Sequence, residues 1–379
     1  ISDLFGAYGL TFCIILFAAG IQQAVLQNAK SRNVRLANLS LAILTLSGLI
    51  FYGNNKLNFV VQSEPSTINV GLIQGSIDTV FPANEEEYLE FYTSKTEHYM
   101  ELARTAISDW PDADLVLWPE NGWPVSDLHP ETAKEMLDSL QLAQYQDAHI
   151  GTWSYLRKSN QNIPPMLIGA MTVDPVKQKR FGSAIFVDQY GNTTHRYYKN
   201  HLVMFGEYVP LADWFPILQR LPGVGAGLQA GDSPISIPVN EFKITPSICF
   251  ETTVPHLIRN QLDRLDIEGD APDLMANLTN DGWFYGTSCL DFHLACNVFR
   301  AVEMRKPHVV CANTGLSAHI DHFGRIIQEG PRRKPEAILC KVEKSEMPSR
   351  YRQLGDTLWI VLTGLTVMAM LISVFPKKT

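Results

Sequence analysis

Ser247-Ile248-Cys249-Phe250-Glu251 is the stretch whose reading decides the fold. It follows Phe242-Lys243-Ile244-Thr245, an apolar, β-branched approach that reads as a strand entering a core. Thr252-Thr253-Val254-Pro255 comes next, with the Thr and Pro that open helices. Cys249 is therefore expected where a buried strand gives way to a helix. A thiol is well presented on such a turn, and a helix N-terminus favours its thiolate. A cysteine in apolar surroundings also reads as a small buried hydrophobe. Two further stretches bear on that choice. Leu115-Val116-Leu117-Trp118-Pro119-Glu120 is a buried strand ending in a carboxylate, and Tyr197-Tyr198-Lys199-Asn200-His201-Leu202 puts an ammonium after a hairpin strand.

Outward from these stretches the chain alternates strands and helices. Strands are expected over residues 68–74, 115–118, 165–171, 183–187, 194–198, 274–278, 309–312, 317–320, 324–328 and 337–342. Helices are expected over 85–108, 131–143 and 289–305; in the first, Leu89, Tyr92, Tyr99, Leu102 and Ala106 recur on one face. Gly191-Asn192 is a hairpin signal between two of the strands. Strands interleaved with helices and hairpins imply an α/β fold of mixed sheets with helices outside. Pro222-Gly223-Val224-Gly225-Ala226-Gly227 reads as a flexible stretch and a candidate lid.

The ends of the chain differ from its middle. Residues 5–25, 36–52 and 358–375 are apolar runs on the scale of a bilayer span, which takes ~20 residues. A secretory signal fits the first run poorly, because no basic stretch precedes it. The chain opens at Ile1 rather than Met and reads as cut from a longer protein. Lys30, Arg32 and Arg35 lie between the first two runs, and Lys377 and Lys378 follow the third. The positive-inside rule puts both groups in the cytoplasm. The expected organisation is two transmembrane helices over 1–53, an extracytoplasmic domain over 54–355, and a third helix with a basic tail over 356–379.

With 31 basic and 39 acidic residues the net charge is −8, which argues against a nucleic-acid partner. Six cysteines show no disulfide framework. Cys289-x-x-x-His293-x-x-Cys296 lies on one helical face, but zinc sites usually draw ligands from two elements and no partner pair is evident, so no metal site is expected.

Glu, Lys and Cys in this order, each at a strand end, resemble the nitrilase superfamily. Lys199-Asn200-His201-Leu202-Val203 running into Phe205-Gly206-Glu207-Tyr208-Val209-Pro210 resembles the apolipoprotein N-acyltransferase family more closely, as do Cys249-Phe250-Glu251 and Asn280-Asp281-Gly282-Trp283-Phe284. The likeness spans roughly residues 68–342 and the flanking apolar runs. Phe250 stands where the family often has Tyr, Met204 where it often has Pro, and Phe81 is the nearest aromatic to a usual Trp.

The resemblance implies a four-layer α-β-β-α sandwich flanked by transmembrane helices. It implies transfer of a fatty acyl chain from a phospholipid, through a Cys249 thioester, to the amine of a diacylated apolipoprotein. It places the enzyme in a bacterial inner membrane with its catalytic domain facing the periplasm, and it needs no cofactor. Cys249 is then the nucleophile, Glu120 the base with a pKa raised by desolvation, and Lys199 the oxyanion partner. The Phe250 amide is a second oxyanion donor. Glu207 either orients Lys199 or joins the proton path; Glu251 is either catalytic or a cap on backbone amides. Phe250, Trp283 and Phe284 are candidate substrate contacts, with an aromatic core corner the other reading of Trp283-Phe284-Tyr285. A membrane-anchored amidase acting on a small C–N substrate is the alternative function.

Overall fold

A computed structural model describes residues 1–25, 32–58, 65–80, 82–124, 126–130, 154–156, 163–211, 214 and 227–374. The expected helix over 131–143, the candidate lid at 222–226, Phe81, Lys30, Lys377 and Lys378 lie outside the described residues.

Among the described residues thirteen strands form two sheets. The first holds β1 (Thr67–Gln74), β2 (Leu115–Leu117), β3 (Asp127–Leu128), β4 (Met166–Asp174), β5 (Lys179–Val187), β6 (Thr193–Tyr198) and, at the far edge, β13 (Glu336–Glu343). The second holds β7 (Ile237–Val239), β8 (Phe242–Ile248), β9 (Leu274–Thr279), β10 (His308–Ala312), β11 (Ala318–Ile320) and β12 (Ile326–Glu329). The centre of each sheet is parallel: β1, β2 and β4 in one, β8, β9 and β10 in the other. Antiparallel strands flank each centre, joined by hairpins except for β13, which returns from the end of the domain to pair with β1. The sequence shows why. The central strands are buried without alternation and mostly apolar, Asn277, Thr279 and His308 apart, as strands covered on both faces are. The strands expected from the sequence are present to within a few residues. The two-residue β3 and the three-residue β7 were not expected, being too short to show periodicity.

Register brings strand ends to one level. Leu72, Leu117 and Leu167 are neighbours across the first sheet. Ile248, Leu278 and Cys311 are neighbours across the second. These side chains join the core between the sheets, with Val70, Leu115, Tyr197, Ile244 and Val309. The Cys311 thiol crosses that core to the Leu117 carbonyl, Sγ to O 3.2 Å.

Helices cover the outer faces. Glu85–Asp109 is α3, capped by the Asn84 side chain, which accepts from the Glu87 amide at 2.9 Å. Its Tyr99, Ala103, Ala106 and Ile107 pack on Val116, Trp118 and Ile168 of the first sheet. On the second sheet, α4 (Pro255–Ile267) buries Ile258 and Leu262 against Met275, and α5 (Cys289–Met304) buries Leu294 and Ala301 against Val310 and Ile320. The order is helix, sheet, sheet, helix, the sandwich that the resemblance implied.

The apolar runs form α1 (Ser2–Val25), α2 (Arg32–Leu57) and, after the short α6 (Arg350–Leu354), α7 (Thr357–Val374). Both α1 and α2 are long and apolar enough to cross a membrane; α7 is shorter. Gly20 of α1 lies against Asn38 and Ala42 of α2, the close approach small residues allow. Three helix ends meet at the sandwich. Asp3 at the start of α1 pairs with Arg305 after α5 and accepts from Tyr52 near the end of α2. Gly6 breaks the helical path with φ 66°, and the Ala7 amide donates to Glu303 of α5 at 2.8 Å. Trp359 at the start of α7 donates to the Phe5 carbonyl at 2.8 Å.

Candidate active site

Parallel strands open their carboxyl ends on one edge, where ligands of open α/β sheets settle. Here β2 leads to Glu120, β8 to Cys249, β9 to Asn280 and Asp281, and β10 to Asn313. Strand β6 runs parallel to β4, two hairpin steps away, and leads to Lys199 at the same edge.

Glu120 leaves β2 across the face of β4. Gly169 of β4 makes room: a Cβ there would lie 2.2 Å from the Pro119 carbonyl oxygen and 2.6 Å from the Glu120 Cα. The Trp123 amide then donates to the Gly169 carbonyl at 3.1 Å and fixes the turn. One carboxylate oxygen of Glu120 meets Lys199 Nζ at 3.1 Å; the other accepts the Asn280 amide at 3.2 Å.

Lys199 has no exposed side-chain surface, unlike a solvated lysine at the end of a hairpin. Its Nζ also donates to Glu207 at 2.6 Å. Glu207 is steadied by the Val203 amide, which donates to its second oxygen at 2.8 Å. A buried ammonium needs such partners, because desolvation alone would drive it neutral. Burial works against the Lys199 charge, but Glu120, Cys249 and Glu207 outweigh it and hold the lysine's pKa above its ordinary value. Burial raises the pKa of Glu120, with Lys199 opposing and Glu207 adding to the rise.

Cys249 sits at φ 51°, a left-handed backbone unusual for a side chain of this kind. The expected helix start is a single 3-10 turn, Cys249–Thr253, and the α-helix proper begins at Pro255. The thiolate expected from a helix N-terminus is overturned as well. Burial pushes the Cys249 thiol up, the Glu120 charge pushes it further, and Lys199 only partly opposes them. The resting group is a thiol, and it needs a base.

Glu251 is wholly buried and accepts from the amides of Ile248 at 2.7 Å, Asn200 at 2.7 Å and His201 at 3.0 Å. It also accepts from the Tyr197 hydroxyl at 2.8 Å, which in turn accepts from Gln261 at 2.9 Å. This carboxylate brackets the Cys249 turn to the Lys199 segment. Of the two sequence readings, the geometry matches the cap on backbone amides.

Phe250, Trp283 and Phe284 are exposed side chains that follow Cys249 and Asp281 in sequence. Trp283 is 56% exposed and Phe284 39%, so the aromatic core corner is not what forms. Phe250 stacks on His201 with ring centroids 6.2 Å apart. Trp283 and Asn280 line a cavity of about 550 Å³ with Tyr88, Phe91 and Tyr92 of α3.

Sequence reasoning passed over two side chains. Asp281 accepts from Thr279 at 3.0 Å and meets His293 at 2.8 Å. In the sequence His293 shows only as one point of a metal-like spacing. The signal was the Asn280-Asp281 pair at the end of a buried strand, where an acid has few reasons to stand. Among the described residues no group of His, Cys, Asp and Glu is arranged to hold a metal ion.

The carbon–nitrogen hydrolase family profile matches residues 69–349. Among curated proteins, the chain is similar to the apolipoprotein N-acyltransferase of Geobacter metallireducens, 28% identical over 378 residues, covering 98% of this chain and 66% of the relative. It is also similar to that of Rhodopirellula baltica, 25% identical over 393 residues, covering 94% of this chain and 67% of the relative. The chain spans about two thirds of the length of these relatives. Among solved structures, a nitrilase-superfamily member from Saccharomyces cerevisiae superimposes with TM-score 0.51 at 18% identity, covering 78% of this chain and 97% of that one. A carbon–nitrogen hydrolase from Helicobacter pylori gives TM-score 0.50 at 13% identity, covering 78% and 94%. These two likenesses speak to the fold.

Proposed function

The chain belongs to the carbon–nitrogen hydrolase family, and from that premise we propose that it is a membrane-anchored N-acyltransferase acting through a Glu120, Lys199 and Cys249 triad. The donor is a phospholipid, and the acceptor is the N-terminal amine of a diacylglyceryl-cysteine lipoprotein. The names of the relatives support this substrate pair. One observation carries the reading over that of an amidase for small soluble substrates. The sandwich that holds the buried Glu120–Lys199–Glu207 cluster is joined to long apolar helices and leaves Phe250 and Trp283-Phe284, which follow Cys249 and Asp281 in sequence, exposed.

In the first half-reaction Glu120 takes the thiol proton while Sγ attacks the ester carbonyl. The oxyanion forms beside Lys199 Nζ and the Phe250 amide. The C–O bond breaks, and Glu120 returns the proton to the departing lysophospholipid oxygen. In the second half-reaction the lipoprotein amine attacks the thioester, Glu120 takes the amine proton, and the proton passes to the leaving thiolate. The atoms balance without a cofactor. Glu207 orients Lys199 in both halves, and Glu251 acts as a positioning residue.

We place residues 54–355 outside the cytoplasm, in the periplasm of a bacterium whose inner membrane holds α1, α2 and α7. Arg32 and Arg35 at the α1–α2 connection support this, as does the meeting of the other helix ends at the sandwich. The test uses purified chain in detergent micelles, given phospholipid but no lipoprotein. The peptide containing Cys249 should gain the mass of one acyl chain, removable by neutral hydroxylamine. Turnover of a small amide with no acyl-enzyme from phospholipid would establish the amidase instead.

A further inference from the structure

His293 lies in the second turn of α5 and is 8% exposed. Its Nδ1 is 2.8 Å from Asp281 Oδ1, and its Nε2 is 3.0 Å from the carbonyl oxygen of Cys249. Both of these partners are acceptors; the Thr252 hydroxyl is a third, longer neighbour, 3.4 Å from the same Nε2. A neutral imidazole carries one N–H and would set a lone pair against one of them. Only the imidazolium satisfies both contacts. Burial works against that charge, but Asp281, with smaller help from the Cys249 carbonyl and Glu120, holds the ring's pKa above its ordinary value. On its own helix, Arg300 is occupied by Glu303 at 2.7 Å and by the Thr252 carbonyl at 3.2 Å.

The carbonyl that His293 grips belongs to the residue at φ 51°. Asn277 Nδ2 donates to the same oxygen at 3.3 Å. In a trans peptide the carbonyl and the following N–H point opposite ways. Fixing the Cys249 oxygen toward His293 therefore fixes the Phe250 N–H away from it. A charged donor on the oxygen also polarises the peptide and strengthens that N–H as a donor.

We propose that His293, held by Asp281, is a positioning residue for acyl transfer: it clamps the Cys249 carbonyl and so aims the Phe250 amide at the oxyanion. The inference rests on the acyltransferase reading above. The same short segment serves the base, because the amide of Asn280, next to Asp281, donates to Glu120 at 3.2 Å. Nucleophile and base are thereby registered to each other through one turn.

The test is single-turnover formation of the acyl-enzyme by the whole chain in micelles, over a range of phospholipid concentrations. His293→Leu should lower the maximal rate by about 10²-fold, the scale of one oxyanion donor, with the half-saturating concentration and the thermal unfolding midpoint near those of wild type. His293→Gln keeps a neutral donor and should recover part of the rate. Should the Leu variant fail to fold, Asp281→Asn takes its place; it keeps the shape, removes the charge, and should lower the maximal rate. A wild-type maximal rate in whichever of these two variants folds overturns the clamp, and so does a Gln variant no faster than Leu or a loss confined to half-saturation. Absence of acyl-enzyme in the wild-type chain would instead overturn the proposed function. A labelled wild type with an indifferent His293 overturns this inference alone.

Discussion

The floor of the site and its rim are built on opposite principles. The floor is charged and closed: Lys199 has no exposed side-chain surface, and Glu120 and Glu207 keep only 12% and 18% of theirs. The exposed apolar side chains that stand near the site residues in sequence, the rim, are open: Met204 is 53%, Phe205 54% and Trp283 56% exposed. Buried charges stay charged only when each has a partner at hydrogen-bond distance, so the floor is complete before any substrate arrives. The rim has no such closure. Each Å² of apolar surface removed from water there stabilises by about 25 cal/mol, and an acyl chain or a bilayer surface would provide the cover. On the proposed function, chemistry belongs to the floor and contact with lipid to the rim.

If that division holds, substitutions should separate cleanly. The largest effect is expected from Cys249→Ala, which should carry no acyl label at all while keeping a normal unfolding midpoint. A label that persists, or that moves to Cys289 or Cys296, would remove Cys249 from the floor's chemistry. Lys199→Met comes next. It should slow acylation by about 10²–10³-fold and cost about 3–5 kcal/mol, since two buried carboxylates lose their cation. Unfolding in denaturant measures the second effect, and an unchanged midpoint would mean that the ion cluster is not closed as described.

Glu251→Gln should act on stability more than on chemistry. Amides of Ile248, Asn200 and His201 lose part of their acceptor, a cost of about 3 kcal/mol. The acylation rate per folded molecule should stay within about tenfold of wild type; a loss on the scale of Lys199→Met would make Glu251 part of the reaction. The pH profile probes Glu120. Burial raises its pKa, so protonation removes the base at a higher pH than for an exposed glutamate. Acylation should therefore fall as pH drops through that raised value and be restored above it. A rate that stays flat down to the ordinary glutamate range would show another base at work.

The smallest effect belongs to the rim. Trp283→Ala should raise the half-saturating phospholipid concentration a few-fold, corresponding to about 1 kcal/mol of lost apolar contact, and leave the maximal rate alone. A large loss of maximal rate would mean that the rim aligns the ester, and the division between the two regions would blur.

Much of the fold could be read from the chain because it rests on local pattern. Apolar runs without alternation mark strands buried on both faces, as in β2, β9 and β10. The 3.6-residue recurrence of Leu89, Tyr92, Tyr99, Leu102 and Ala106 marks α3. The two-residue β3 was missed because no period fits in two residues. The helix expected from Thr252-Thr253-Val254-Pro255 starts later because a 3-10 turn intervenes, and turn chemistry of that kind depends on what grips the backbone.

Sequence by itself determined the order of elements, the apolar runs at the two ends, and the placing of Glu120, Lys199 and Cys249 each just beyond a strand. Propensity and periodicity act over a few residues and suffice for that. Tertiary structure alone decided the state of those groups. Lys199 meets a carboxylate 79 positions away, and His293 reaches the Cys249 carbonyl across 44. Whether a thiol is ionised, which amides Glu251 accepts from, and whether Trp283 faces the core or the outside all depend on desolvation and on which groups lie within a few ångströms. Those distances exist only once the two sheets have closed on each other.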